Sequence, residues 1–217
     1  MAAPVVIIGN GASTCTRRVA AVCKFVGVEY KLNVVEFADW ASLKSPEHIA
    51  LQPFGQVPVL TEEDGFILTE SRAISRYIVM KHGKGSTLLP PADDIKAIAL
   101  FEAACSIEVA NFDQIVSDIV KEKVFKLWFG QKTDEARVAE LFKALGPKLD
   151  GYERILSKNK YLAGDTFTLA DVFHLPYGYH FEKHAGGAEE LQKRPNVARW
   201  WNDISNRPEW LAIQDSA

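Results

Sequence analysis

The chain has 217 residues, 47% of them apolar and 24% charged, with a formal net charge of −3. That balance leaves no basic footprint for nucleic acid, and no apolar run approaches the ~18 residues a membrane helix requires. Three cysteines, Cys15, Cys23 and Cys105, are odd in number and scattered, which fits free thiols in a reducing cytoplasm better than a disulfide framework.

In chain order, "MAAPVVIIG" lacks the basic start of a signal peptide and runs directly into a short buried strand over Val5 to Ile8. After Ser13, Val19, Val22, Cys23 and Val26 recur at helical spacing, and Gly27 is placed to stop that helix. Tyr30, Leu32 and Val34 alternate as a second strand, and "SPEHIA" predicts a helical turn. "QVPVL" and "FILT" read as two further strands around the turn "EEDG". "ESRAISRYIVMKHG" is a helix with Ala73, Ile74, Tyr77 and Ile78 on one face, closed by Gly83.

Composition then shifts at the Gly/Ser/Pro stretch "GKGSTLLPPADD", beyond which almost no period-2 signal remains. Val138, Leu141, Leu145, Leu149, Tyr152 and Leu156 step by three and four, with Gly146-Pro147 expected to kink or split their helix. The expected organisation is an α/β domain of order βαβ-ββα over residues 1–83, a linker over 84–93, and an all-helical domain over 94–217.

The turn Gly9-Asn10-Gly11 can be read in two ways. A dinucleotide fingerprint needs a third glycine, and here Thr14 occupies that place, although Glu36 could serve as the ribose-binding acid. A doubly wound domain should also continue with further βα units, and this chain turns to strands that look antiparallel. The thioredoxin-like alternative offers Ser13, Thr14 or Cys15 to a sulfur at the start of a helix. Two later motifs favour it. Pro58 opens a strand, where a cis Val57–Pro58 bond would turn the Val57 backbone outward to pair with an extended peptide. Glu70 and Ser71 begin a helix whose free N–H groups suit a carboxylate, with Glu70 able to hold an ammonium group. A carboxylate, an ammonium and a short extended backbone describe a γ-glutamyl peptide.

The stretches "STCTRRV", "QPFGQVPVL", "ESRAISRYI", "YLAGDTFTLADVFHLP" and "RWWNDISNRPEW" resemble, in order and spacing, a cytosolic glutathione transferase of the phi class, plant- or fungal-like. The resemblance implies the glutathione transferase fold: a thioredoxin-like, glutathione-binding domain followed by an all-α domain that contributes a hydrophobic substrate site, in a homodimer. It implies glutathione as co-substrate, no metal, and transfer of its sulfur to apolar electrophiles, with reduction of organic hydroperoxides as a further activity. Ser13 matches the catalytic serine, whose hydroxyl favours the glutathione thiolate; read from local pattern alone it is an N-cap. Gln56, Val57 and Pro58 match the residues for the peptide backbone, Glu70 and Ser71 those for the γ-glutamyl end, and Lys44 the lysine for the glycyl carboxylate. Leu43 departs from the family, which commonly has a polar residue there.

An apolar cleft between the domains is expected to take the electrophile, with Ala12, Phe37, Trp40, Phe112, Ile115 and Ile119 as candidates that could equally be core. Cys15 reads as a packed first-turn residue, and Asp171 as the N3 acid of a capping box begun by Thr168, with Phe167 stapling to Val172. His180 and His184 have the i, i+4 spacing of metal ligands, but the residues between them are "FEK" and no third ligand is evident. The competing expectations are a glutathione-dependent isomerase or ether-cleaving enzyme on the same fold, a non-catalytic carrier of hydrophobic ligands, and a structural subunit.

Overall fold

The first strand, β1 (Val5–Gly9), buries Val5, Ile7 and Gly9 and leaves Val6 and Ile8 half-buried, in a computed structural model that describes residues 4–217, the side chains of 37–40 excepted. Helix α1 (Thr14–Val26) follows with Val19, Ala20, Val22 and Cys23 fully enclosed. Gly27 ends it at φ 70°, a left-handed conformation that a residue without Cβ adopts at little cost. Strand β2 (Tyr30–Val34) then lies parallel to β1, with Ile7 opposite Leu32, so the helix is the crossover that a parallel pair requires.

A 3₁₀ helix over Phe37–Lys44, for which the sequence pattern has no marker, leads to α2 (Pro46–Leu51). Ser45 caps α2 by accepting a hydrogen bond from the His48 N–H at 3.2 Å. Strand β3 (Val59–Thr61) runs antiparallel to β1 with Val59 opposite Ile8, and β4 (Ile67–Leu68) antiparallel to β3 with Leu68 opposite Leu60. The sheet order β2-β1-β3-β4 is therefore mixed, with one parallel and two antiparallel pairings. Helix α3 (Ser71–His82) packs against α1 and buries Ile74, Ile78 and Val79. This is the expected thioredoxin-like βαβ-ββα arrangement.

The chain divides into two compact units, one running through Ser86 and rejoined by Pro208–Ala217, the other spanning Thr87–Arg207. The second unit is helical. Its first stretch runs through α4 (Ile95–Glu108), α5 (Gln114–Val120) and α6 (Lys126–Trp128), joined by π-helical segments at Val109–Asp113 and Lys121–Phe125. Helix α7 (Glu135–Leu156) continues for 22 residues with Pro147 inside it, so of the expected kink or split the split does not occur. An interior proline costs about 3 kcal/mol. Six buried side chains (Val138, Leu141, Leu145, Leu149, Tyr152, Leu156) outweigh that, at roughly 1.5–3 kcal/mol each.

Short helices α8 (Leu169–Val172) and α9 (Leu175–His184) follow, then α10 (Ala188–Gln192) and α11 (Pro195–Ser205). Thr168 and Asp171 form the capping box at the start of α8. Asp171 is fully enclosed and accepts from the Thr168 N–H (3.0 Å), the Thr168 hydroxyl (3.3 Å), the Leu162 N–H (3.2 Å) and Trp200 Nε1 (2.9 Å). The last ten residues, part of the stretch 94–217 expected to be one helical domain, group with the first unit. There α12 (Pro208–Leu211) packs against α1 and buries Trp210, with Ile213 also enclosed. Among the described residues, no helix is long and apolar enough to cross a membrane.

Candidate active site

Three loops of the first unit converge because of strand register. The turn after β1 leads to Ser13, and Val57–Pro58 precedes β3, whose Val59 pairs with Ile8 of β1. Glu70 and Ser71 follow β4, whose Leu68 pairs with Leu60 of β3. In a sheet whose central strands alternate direction this way, the exits of β1 and β4 and the entry of β3 lie at one end.

Ser13 sits at the N-cap of α1, half-buried, with Oγ accepting from the Thr16 N–H at 3.3 Å. The cap thus uses an oxygen lone pair and leaves the hydroxyl proton available; among the described residues it has no acceptor. The first turn of α1 carries no acidic residue, so the positive end of the helix dipole is not neutralised locally. Asn10 builds the turn: its Oδ1 accepts from the Ala12 N–H (2.9 Å), its Nδ2 donates to the Val35 carbonyl (2.8 Å), and its own carbonyl accepts from the Ser13 N–H (2.9 Å). Neighbouring Cys15 is partly exposed, with Arg18 Nη1 3.6 Å from its sulfur. Cys23, one turn deeper than Arg18, is inert, because burial pushes its thiol up to about 12.

The Val57–Pro58 peptide bond is cis. Pro58 is buried, Val57 partly exposed and Gln56 exposed. Among the described residues, neither the N–H nor the carbonyl of Val57 has a hydrogen-bond partner, so one unsatisfied donor and one acceptor stand at the start of β3. The loop before it is knitted by Gln52, which accepts from the Phe54 and Gln56 N–H groups at 2.7 and 3.3 Å. His48 Nε2 lies 2.9 Å from the Gln56 carbonyl. Gly55 has φ 61°, and a Cβ there would lie 2.5 Å from the Leu43 carbonyl oxygen, so only glycine fits. Lys44 Nζ donates to the Phe54 and Gly55 carbonyls at 2.8 and 3.2 Å, which places its ammonium beside this loop. Leu43 is core.

Glu70 is the N-cap of α3 and, among the described residues, the one non-glycine with positive φ, at 69°. Its exposed carboxylate has no partner among those residues and does not cap its own helix. A residue held in this region costs of order 1–3 kcal/mol and marks a position determined by something other than local preference. Ser71 is buried and accepts from Arg18 Nη1 at 2.8 Å. This bond ties the starts of α1 and α3 together.

Ser13, Gln56, Val57, Pro58, Glu70, Ser71 and Lys44 are therefore gathered in loops and at helix ends at one end of the first unit. Among the candidates for the electrophile, Ala12 is half-buried next to Ser13, and the side chains of Phe37 and Trp40 lie outside the described residues. Phe112 and Ile119 are enclosed in the second unit, where the Phe112 ring lies 4.7 Å from that of His174; Ile115 is partly exposed. His180 packs edge-on against Phe125 and Trp128, ring centroids 5.7 Å apart in each case. Sequence reasoning missed Asn10, Arg17, Arg18, His48 and Gln52. For the arginines a signal existed: two cations in the otherwise apolar and small-residue stretch "TCTRRVAAV" must be either solvated or bound, and both are buried.

Comparison with known proteins gives the family. The family model "Glutathione S-transferase, N-terminal domain" matches residues 12–79, and "Glutathione S-transferase, C-terminal domain" matches residues 100–208. Glutathione S-transferase PM239X14 of Arabidopsis thaliana is 46% identical over 196 residues, 90% of this chain and 88% of that protein. The crystal structure of glutathione transferase F7 from Populus trichocarpa superposes with a TM-score of 0.89 at 34% identity, covering 96% of this chain and 97% of that one. Glutathione S-transferase I from maize, in complex with an atrazine glutathione conjugate, gives a TM-score of 0.89 at 30% identity, with 98% and 97% covered.

Proposed function

The chain belongs to the glutathione S-transferase family, within its phi class, and from that premise we propose that Ser13 is the residue that holds glutathione as its thiolate. A member of this family is a transferase that takes glutathione as co-substrate and joins its sulfur to an electrophile. The thiolate is the nucleophile, so catalysis consists largely of keeping the sulfur ionised. Lowering the thiol pKa by ~2 units requires about 2.7 kcal/mol of differential stabilisation. One charge-assisted hydrogen bond and an unneutralised helix N-terminus are of that size together.

The single observation that carries the reading is the hydroxyl of Ser13, whose oxygen is taken by the Thr16 N–H and whose proton has no acceptor among the described residues. The proton released by the thiol goes to solvent, and the thiolate attacks the electrophile beside Ser13 and Ala12. Val57 offers an N–H and a carbonyl to the cysteinyl backbone, with Pro58 fixing their direction and Gln56 flanking them. Glu70 holds the γ-glutamyl ammonium, and Ser71 with the open first turn of α3 holds its carboxylate. Lys44 exchanges its two loop carbonyls for the glycyl carboxylate.

The same thiolate supports a second reaction, reduction of an organic hydroperoxide by two glutathione molecules to the alcohol, water and oxidised glutathione. Cysteines that form no disulfide among the described residues support a reducing cytoplasm as the working compartment. Phe54 and Met80, each 70% exposed in the first unit, support a homodimer that covers them. Ser13→Ala tests the central assignment: turnover of an aryl halide should fall about 100-fold, while affinity for S-methylglutathione, which has no thiol to ionise, is retained. Turnover within about twofold of wild type removes Ser13 from the mechanism.

A further inference from the structure

We infer that the C-terminal segment Gln214–Ala217, gripped by the buried guanidinium of Arg17, is a positioning element for Ser13. The inference rests on the role of Ser13 proposed above and extends it to residues far away in sequence.

Arg17 is one turn into α1 and 2% exposed. Its Nη2 donates to the Ala12 carbonyl at 3.1 Å, and its Nη1 donates to the Gln214 carbonyl. The Ala12 carbonyl belongs to the peptide unit that enters Ser13, so the guanidinium holds the plane from which Ser13 departs. The tail also reaches the preceding residue directly, where the Ala217 N–H donates to the Gly11 carbonyl at 3.1 Å. The approach is close enough that a side chain at position 11 would make the segment shift. A Cβ on Gly11 would lie 2.5 Å from Ser216 Oγ and 3.0 Å from the Ala217 carbonyl oxygen. Behind this contact, Trp210 and Ile213 are buried and anchor the segment to the first unit.

The carbonyls of Asn10, Gly11 and Ala12 are thus taken by Ser13, Ala217 and Arg17 respectively. A planar guanidinium can present two donors in a fixed fork, which is why an arginine suits a site that must join two chain segments. The consequence for chemistry is geometric. Stabilising a thiolate depends on where the hydroxyl points, and an error of 1 Å in such a group can cost on the order of 100-fold. Arg17 and the tail touch neither sulfur nor electrophile in this scheme; they set the direction of Ser13.

The test uses the 217-residue chain, a truncation after Ile213, which retains Trp210 and Ile213, and Gly11→Ala, which wedges the tail away. The ultraviolet thiolate band of enzyme-bound glutathione, titrated with pH, reads the ionisation directly. Both variants should move its midpoint upward and lower kcat about tenfold, with S-methylglutathione affinity within about twofold of wild type. Adding Ser216→Gly to Gly11→Ala should bring the midpoint back, because it removes the nearer of the two clashing groups. An unmoved midpoint in the truncated and wedged proteins overturns the inference, as does a parallel loss of S-methylglutathione affinity, which would make the tail a general support. Should the truncated chain not fold, Gly11→Ala with and without Ser216→Gly decides: no shift, or no rescue, overturns it. Ser13→Ala separates the two levels. If it leaves the midpoint unchanged, the proposed role of Ser13 fails; if it shifts the midpoint and the tail variants do not, only the role of the tail fails.

Discussion

Two helix starts in this molecule use the same residue class and reach opposite ends. At the start of α8, Thr168 caps and Asp171 closes the box, and the carboxylate accepts four hydrogen bonds in full enclosure. At the start of α1, Ser13 caps through its oxygen alone, no acid follows in the first turn, and the hydroxyl remains partly exposed. The first start carries a full capping box with an acid near its dipole; the second satisfies one donor through Ser13 and leaves the dipole without an acid. A helix N-terminus becomes a chemical site when the sequence withholds the groups that would otherwise complete it. The start of α3 follows the second pattern, because Glu70 turns its carboxylate away from its own helix.

The contrast can be broken most severely at Asp171. Asp171→Ala leaves buried donors on Leu162, Thr168 and Trp200 without partners, at about 1–3 kcal/mol each, so the denaturant midpoint should fall by the equivalent of roughly 4 kcal/mol. Specific activity per folded molecule should stay near wild type. A stable but inactive Asp171→Ala protein would merge the two classes of helix start.

Ser13→Ala should show the reverse: a stability loss of only about 1 kcal/mol, the usual cost of a cap, beside a much larger loss of turnover. Calorimetric melting of the two mutants side by side makes the comparison, and a Ser13→Ala melt as low as that of Asp171→Ala would contradict it.

A pH series sharpens the Asp171 side further. Burial, opposed by its hydrogen bonds, raises the Asp171 carboxyl from 3.8 to about 6. Between those values the folded protein holds a proton that the unfolded chain releases. The stabilisation from this group is therefore complete below the lower value and declines as pH rises through the upper one. Asp171→Asn does not titrate, so the stability advantage of wild type over the mutant should shrink between about pH 4 and pH 7. A constant difference across that range would contradict the direction.

The smallest effects concern Glu70. Glycine accepts φ 69° without penalty, so Glu70→Gly should leave the fold equally stable or raise its stability by about 1 kcal/mol. It should also weaken glutathione binding, read by isothermal calorimetry. A destabilised Glu70→Gly protein with unchanged affinity would mean that the strained residue serves the fold and not the ligand.

Much of this architecture is legible in the chain because its cues are local. Val5 to Ile8, Gly27, the Ser13 cap and the Thr168/Asp171 box each act over a few residues, and each is found where periodicity and capping chemistry put it. The Val57–Pro58 bond belongs to the same group, since a proline at a strand start poses its question within two residues. Pro147 shows the limit of local rules. The helix-breaking preference is real, but burial of the apolar stripe of α7 outweighs it, and that burial depends on what packs against the helix.

By itself, then, the sequence determined the βαβ-ββα order of the first unit, the helical character of the second, the caps at Ser13 and Thr168, and the residue types available to a thiol and a γ-glutamyl group. Tertiary structure alone decided which of them meet. Arg18 joins Ser71 across 53 residues, and Arg17 joins Gln214 across 197. No periodicity or capping rule spans such separations, because those rules describe a chain's interaction with its own next turn. A buried guanidinium finds its acceptors only after the sheet register has brought β1, β3 and β4 to one end and the tail has folded back onto α1.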